Sequence, residues 1–131
     1  MNLLLDSHTL LWLMEGSPSL SAAATSHIND PLNRLYLSMA SVWEIGIKSG
    51  IGKMGLHVPY ATFLDTAING YGLMVLTITT DDCIRYEQLP FPDSNHRDPF
   101  DRMIVVHAQS HGLTMLGVDV AFDLYGVPRL W

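Results

Sequence analysis

Four carboxylates scattered along this chain are candidates for one shared site: Asp6, Glu44, Asp101 and Asp119. Four acids that converge without matching bases repel one another, so they either take up protons or hold cations. A set of carboxylate oxygens suits Mg2+ or Mn2+. Chemistry at such sites is usually phosphoryl transfer, in which the ion lowers the pKa of a bound water, orients it and offsets charge in the transition state. Phosphodiester hydrolysis of that kind needs no nucleophilic side chain. None is evident: there is no GxSxG, and Cys83 follows two acids, Asp81 and Asp82, that disfavour its thiolate.

Each acid also has a structural explanation. Asp6 directly follows Leu3-Leu4-Leu5 and starts a helix, a common place for an N-cap. A strand-end acid in an open α/β sheet also faces the crevice where such sheets bind ligands. Glu44 sits mid-helix among apolar neighbours, Met39-Ala40-Ser41-Val42-Trp43 and Ile45-Gly46-Ile47, in a helix expected to be mostly buried. A buried carboxylate needs a partner, either Lys48 at i+4 or a metal shared with other acids. Asp98 before Pro99 reads first as an N-cap with proline at the first helical position. Asp101 then falls in the first turn, where the helix dipole favours an acid. Asp119 repeats the pattern of Asp6: apolar strand, acid, helix.

The elements that must position these acids alternate along the chain. Strands are expected over Leu3–Leu5, Leu35–Leu37, Leu73–Ile78, Leu113–Val118 and Val127–Leu130, mostly as continuous apolar runs that suit parallel strands covered on both faces. Helices are expected over Ser7–Glu15, Ser21–Asn29, from a Ser38 cap to Lys48, and over Tyr60–Asn69, Asp81–Gln88 and Asp98–Ser110. That alternation means an α/β domain with a mostly parallel sheet and right-handed crossovers. The glycine-rich stretch from Gly50 to Gly55 matches no phosphate-binding loop pattern.

Composition bounds the function. A chain of 131 residues is near the size of one domain, and 48% hydrophobic residues exclude the disordered classes. No apolar run reaches the ~18 residues of a membrane helix. The start lacks the basic region of a signal peptide, so a cytoplasmic protein is expected. A single cysteine allows no internal disulfide, and no Cys/His cluster has zinc spacing. His107 and His111 are four apart and share a helix face without a third ligand nearby. The net charge of −6 argues against a nucleic-acid binder, unless several acids are gathered in one metal site. Asp outnumbers Glu by ten to three, a usage that suits caps, turns and metal ligation.

Four stretches carry a family resemblance. They are Leu3-Leu4-Leu5-Asp6-Ser7-His8-Thr9-Leu10-Leu11-Trp12, then Ser41-Val42-Trp43-Glu44-Ile45-Gly46-Ile47-Lys48, then His96-Arg97-Asp98-Pro99-Phe100-Asp101-Arg102, and finally Asp119-Val120-Ala121-Phe122 with Tyr125-Gly126-Val127. In that order they resemble the PIN domain, and in particular its VapC-like branch, the toxins of type II toxin–antitoxin pairs. The resemblance spans almost the whole chain, and the His96–Arg102 stretch is its most specific piece. It implies a three-layer α/β/α sandwich, Mg2+ or Mn2+ held by Asp6, Glu44, Asp101 and Asp119, and RNA cleavage. It also implies a homodimer and an antitoxin that restrains it. Asp98 is a secondary site candidate. The last family motif usually reads Thr-Ala-Asp-Arg; here it is Gly117-Val118-Asp119-Val120. A hydroxyl and a basic residue are therefore absent beside the fourth acid, which weighs against a full second metal site and part of the RNA grip. Ser7 and Ser38 are the remaining candidate hydroxyls.

Three readings compete. Retention of all four acids favours an active ribonuclease toxin. The Gly117 departure and the few basic residues favour a catalytically weak module acting through protein partners. A phosphoacceptor domain would need an acidic pair after the first strand and a lysine after the last; both are missing. Trp12, Trp43 and Trp131 are expected in the core or an interface rather than as base-stacking platforms. His96 and Arg97 are expected either to contact phosphate or to lie on a loop surface. The run Leu10-Leu11-Trp12-Leu13-Met14 cannot all face one core, since successive helical residues turn by ~100°. Part of it is expected to be exposed and to meet an apolar, basic antitoxin helix that reaches into the acidic pocket.

Overall fold

A computed structural model describes residues 1–92 and 95–131 of the chain. Five strands form one sheet: β1 (Asn2–Leu5), β2 (Arg34–Ser38), β3 (Met74–Leu76), β4 (Thr114–Leu116) and β5 (Arg129–Leu130). Their order is β3-β2-β1-β4-β5, and every pairing is parallel. The helices are α1 (Ser7–Glu15), α2 (Ala22–Asn29), α3 (Met39–Gly50), α4 (Tyr60–Asp65), α5 (Thr80–Gln88) and α6 (Pro99–His111). A π-helical turn, Thr66–Gly70, continues α4, and a 3-10 turn, Val120–Tyr125, follows β4.

The central strand shows why the sheet needs a layer on each side. Leu3, Leu4 and Leu5 of β1 are all fully buried, but successive side chains point to opposite faces. Leu3 and Leu5 join one core with Leu10 and Leu11 of α1, Ile28 of α2, Ile45 of α3 and Phe63 of α4. Leu4 joins the other with Ile104, Val105 and Ala108 of α6 and Phe122 of the 3-10 turn. This is the three-layer α/β sandwich expected from the alternating elements. No helix among the described residues is long and apolar enough to cross a membrane.

The topology places the site. From β1 the chain moves outward to β2 and β3, returns through α5 and α6, and enters β4 on the other side of β1. The order thus reverses between β1 and β4, where a crevice opens at the carboxyl ends of the strands. Leu5 lies beside Leu116 in the register, so the residues after both strands, from Asp6 and from Gly117, start at the same edge.

Two packing expectations differ from what is found. Helix α3 buries Ala40, Ser41, Glu44 and Ile45, while Trp43 is 60% exposed and Ile47 39% exposed. One face of α3 meets the sheet, and the turn of ~100° per residue sends Trp43 and Ile47 outward. The run Leu10–Met14 is also better covered than expected. Leu10 and Leu11 are buried, Leu13 and Met14 pack on the same core, and Trp12 packs against Trp131 in a tilted pair with 5.6 Å between ring centres. The C-terminal Trp131 closes the side of α1 that the sheet does not reach.

Candidate active site

Asp6, Glu44, Asp101 and Asp119 line one cleft of about 160 Å3, together with Ser7, His8, Lys48, Asp98 and Phe122. Two arrive as strand-end caps. Asp6 accepts the Thr9 backbone N–H at 2.8 Å and opens α1, whereas Asp119 accepts that of Ala121 at 2.9 Å and opens the 3-10 turn. Asp101 sits in the first turn of α6, behind the Asp98 cap, whose Oδ1 accepts its backbone N–H at 3.0 Å. Capping and site location therefore coincide, and the N-cap explanation accounts for only one oxygen of each strand-end acid.

Glu44 has both of the partners its setting suggested. Lys48 Nζ donates to Oε2 at 3.0 Å, and Ser7 Oγ donates to Oε1 at 2.8 Å, so the carboxylate is held across the cleft from α1. Ser38, by contrast, is not brought to the cleft. It is fully buried, caps α3 through the Ala40 N–H, and lies 2.9 Å from Nδ1 of His107. His107 Nε2 in turn lies 3.2 Å from Asp82 Oδ2. His107 thus serves a buried polar link between β2, α5 and α6 rather than a metal pair with His111.

The electrostatics follow from crowding. Burial, then the charges of Asp98, Glu44, Asp119 and Asp6, push the Asp101 carboxyl up to about 7. Burial also raises the Asp6 carboxyl, against the opposing Thr9 hydrogen bonds. A carboxyl so strongly disfavoured in its charged form marks a cluster whose negative charges crowd one another, the setting in which a cation is favourable. The cations nearby are few. Lys48 lines the cleft, and Arg129 bonds Asp123 with two nitrogens, each at 2.9 Å, and the Gly117 carbonyl at 3.0 Å. Arg129 also feels the charges of Asp119 and Asp6. It brings to this end of the sheet the positive charge that Val120 does not supply.

His96 is the residue whose place the sequence left open. It is neither a surface loop residue nor aimed at solvent: its side chain is only 12% exposed. Nδ1 lies 2.6 Å from the Tyr125 hydroxyl, and Nε2 lies 3.5 Å from Asp101 Oδ2. Nε2, an Asp101 oxygen and an Asp119 oxygen lie within 4.8 Å of one another. The only signal for this in the sequence was that His96 heads the most specific stretch.

The oxygen donors, their crowding and the raised Asp101 carboxyl fit a hard divalent cation held by Asp6, Glu44, Asp101 and Asp119. Comparison with known proteins agrees on the fold. The family model of the PIN domain matches residues 3–127, nearly the whole chain. The chain belongs to the PIN domain family. Its PIN fold is similar to that in VapBC2 from Rickettsia felis, solved bound to a DNA fragment from its promoter. That match has a TM-score of 0.70 and 14% identity, over 99% of this chain and 98% of the other. DNA-bound VapBC from Salmonella typhimurium matches with a TM-score of 0.68 and 20% identity, over 99% and 97% of the two chains. FitAcB from Neisseria gonorrhoeae matches at 0.67 and 19%, over 98% and 96%. No curated protein matches the chain in sequence.

Proposed function

We propose that this PIN domain is a Mg2+- or Mn2+-dependent ribonuclease and the toxin of a toxin–antitoxin pair. The observation that carries the reading is the cleft itself: acids from four separate segments, gathered at the switch point of a parallel sheet, with the Asp101 carboxyl pushed up to about 7 by burial and by the charges around it. Asp6, Glu44, Asp101 and Asp119 would hold the ion. Bound there, it would lower the pKa of an attacking water and offset charge on the phosphate. The chain's own groups set the geometry. The Thr9 N–H fixes Asp6, Ser7 and Lys48 fix Glu44, and the Asp98 cap fixes the turn that carries Asp101. Lys48, in the cleft wall and bonded to Glu44, would be the nearest cation there to meet a substrate phosphate.

The partner reading rests on charge and on the relatives, which were solved as VapBC and FitAcB assemblies. At a net charge of −6, free RNA meets repulsion that metal must offset, whereas a basic segment of an antitoxin is attracted to the cleft. A cytoplasmic location is part of this proposal. The alternative is a catalytically weak PIN module acting through protein contacts. One observation favours it: an apolar cavity of about 280 Å3 away from the acids, lined by Trp43, Ile78, Tyr86, Phe100 and Met103 among others. The exposed Trp43, packed edge-on to Phe100, makes this the face on which a homodimer would form.

The test is RNA cleavage by purified protein with Mg2+, with Mn2+ and with excess EDTA, beside an Asp6→Asn variant. Metal-dependent cleavage that is lost in Asp6→Asn supports the nuclease. Full activity in EDTA, or an unaffected variant, overturns it. Pull-down with the co-expressed neighbouring gene product tests the antitoxin. Its affinity should drop when Glu44 and Asp101 are both made amides.

A further inference from the structure

We infer that His96 supplies a nitrogen ligand to the cleft's metal ion, making it a mixed imidazole–carboxylate centre that prefers Mn2+ to Mg2+. This rests on the reading of the cleft as a metal site and adds to it a ligand that the carboxylate pattern does not contain. The argument begins with an unpaired atom. Nε2 of His96 is shut away from solvent and has no hydrogen-bond partner. Asp101 Oδ2 stands 3.5 Å away, beyond the range of a good N–H···O bond. A buried polar nitrogen left in that state is costly unless something occupies the space before it.

The other ring nitrogen is prepared as a ligand's would be. Metal-bound imidazoles almost always use their second nitrogen to hold an outer partner that fixes the ring. Here Nδ1 lies 2.6 Å from the Tyr125 hydroxyl. That hydroxyl also accepts from Arg102 Nη1 at 3.3 Å, and Arg102 is buried and tied to the Leu89 and Pro90 carbonyls. A proton on Nδ1 donated to the phenol oxygen leaves the Nε2 lone pair free to bind. The His96 ring meets Tyr125 and Phe122 edge-on, at 5.3 and 6.2 Å between centres, which holds it against rotation.

Spacing agrees. Donors about 2.1 Å from one ion stand roughly 3.0 Å apart when adjacent and about 4.2 Å apart when opposite. The His96–Asp101 separation of 3.5 Å falls between these values. The full spread of 4.8 Å, which includes Asp119, is slightly wider. Asp119 is exposed and its one cap bond is made through Oδ1, so a small rotation of this side chain closes that remainder. Both ions favour oxygen, but Mn2+, a softer transition ion, accepts an imidazole nitrogen beside its oxygens more readily than the smaller, harder Mg2+, so the donor set selects Mn2+ of the two.

The test is Mn2+ binding followed by pulsed electron paramagnetic resonance on the intact chain, with histidines carrying either nitrogen isotope. The expected result is a nitrogen modulation that changes with the isotope and disappears in His96→Gln. Mn2+ affinity should fall at least about tenfold in His96→Gln and about tenfold in Tyr125→Phe, with Mg2+ affinity changing much less. The labelled wild-type spectrum needs no variant to fold. Mn2+ bound without nitrogen modulation overturns the inference and leaves an all-oxygen nuclease site standing. No Mn2+ binding at all, in wild type as in Asp101→Asn, overturns both this ligand and the metal reading beneath it.

Discussion

Gly117 lies so close to Asp6 that a β-carbon on it would come within 2.5 Å of Asp6 Oδ2 and 2.9 Å of its Cγ. The backbone of Gly117 is not in the left-handed region, so the constraint is space and not torsion. A side chain there must push the Asp6 carboxylate off the Thr9 N–H or out of the cleft. The motif that this stretch resembles has threonine at this place, so the resemblance alone would predict that Gly117→Thr restores activity. The contact predicts the reverse: Gly117→Ala and Gly117→Thr should each lower metal-dependent cleavage at least about tenfold, as displaced positioning groups do. Cleavage rates of the three proteins decide it, and a faster threonine variant would show that Asp6 has another position available.

Asp101 titrates at about 7 in the folded chain, above its ordinary 3.8. The folded state therefore holds this proton more tightly than the unfolded state. The stability it contributes is full below about pH 4 and is lost as pH rises through 7. Burial lowers the pKa of His107, which acts in the opposite sense below 6.5, so a difference measurement is needed. Without metal, Asp101→Asn should gain on wild type by about 2–3 kcal/mol more at pH 8 than at pH 5, a shift on the order of 10 °C in relative Tm. Equal gains at both pH values would mean that the carboxyl is not crowded. Added Mn2+ should reverse the order at pH 8, because the ion offsets the crowded carboxylate charge that wild type carries and Asp101→Asn lacks.

Asp98 acts on Asp101 in two separable ways, as the cap of its helix and as the largest of the charges that raise its pKa. Asn is as good a cap as Asp but carries no charge. Asp98→Asn should keep stability within about 0.5 kcal/mol and move the acid limb of the cleavage profile to lower pH. Asp98→Ala should cost about 1 kcal/mol as well, because the cap goes too. Asp101→Ala should abolish cleavage while leaving the fold intact. Denaturant melts alongside pH–rate profiles separate these outcomes, and loss of activity without a stability change in Asp98→Ala would make Asp98 itself a site residue.

The buried link Ser38–His107–Asp82 joins β2, α5 and α6 where no water reaches His107. Removing the imidazole strands two buried polar groups and opens a cavity. His107→Ala should therefore cost about 3 kcal/mol in chemical denaturation. Cleavage per folded molecule should survive at low temperature, because His107 does not line the cleft. A cost below about 1 kcal/mol would mean that Ser38 and Asp82 find other partners easily.

The convergence of the four acids was legible because strand-end and first-turn positions are fixed by topology, and β1 read correctly as a strand buried on both sides. What escaped was decided by contacts between segments distant in sequence. Ser38 reads equally well as a site hydroxyl or as a cap until His107, 69 positions away, is seen to take it. His96 is defined by Tyr125, 29 positions on, and no local pattern announces that meeting. The cover that Trp131 gives α1 is likewise invisible in a helical period. Strand ends were overestimated. The apolar run over 73–78 keeps only three residues in β3, and that over 127–130 only two in β5, and the inner run over 113–118 is also cut to three in β4, because apolar residues ahead of the paired register are buried without joining the ladder.

Those short outer strands have a bearing on recognition. A partner that docks by extending a sheet is held by a row of main-chain bonds, and it needs a border long enough to offer them. β3 presents three residues at one border and β5 two at the other. Such stubs template little, which also guards against self-propagating strand stacking. Whatever binds this chain must therefore read its side chains, helix faces and charge, and partner choice is written in residue identity instead of backbone geometry.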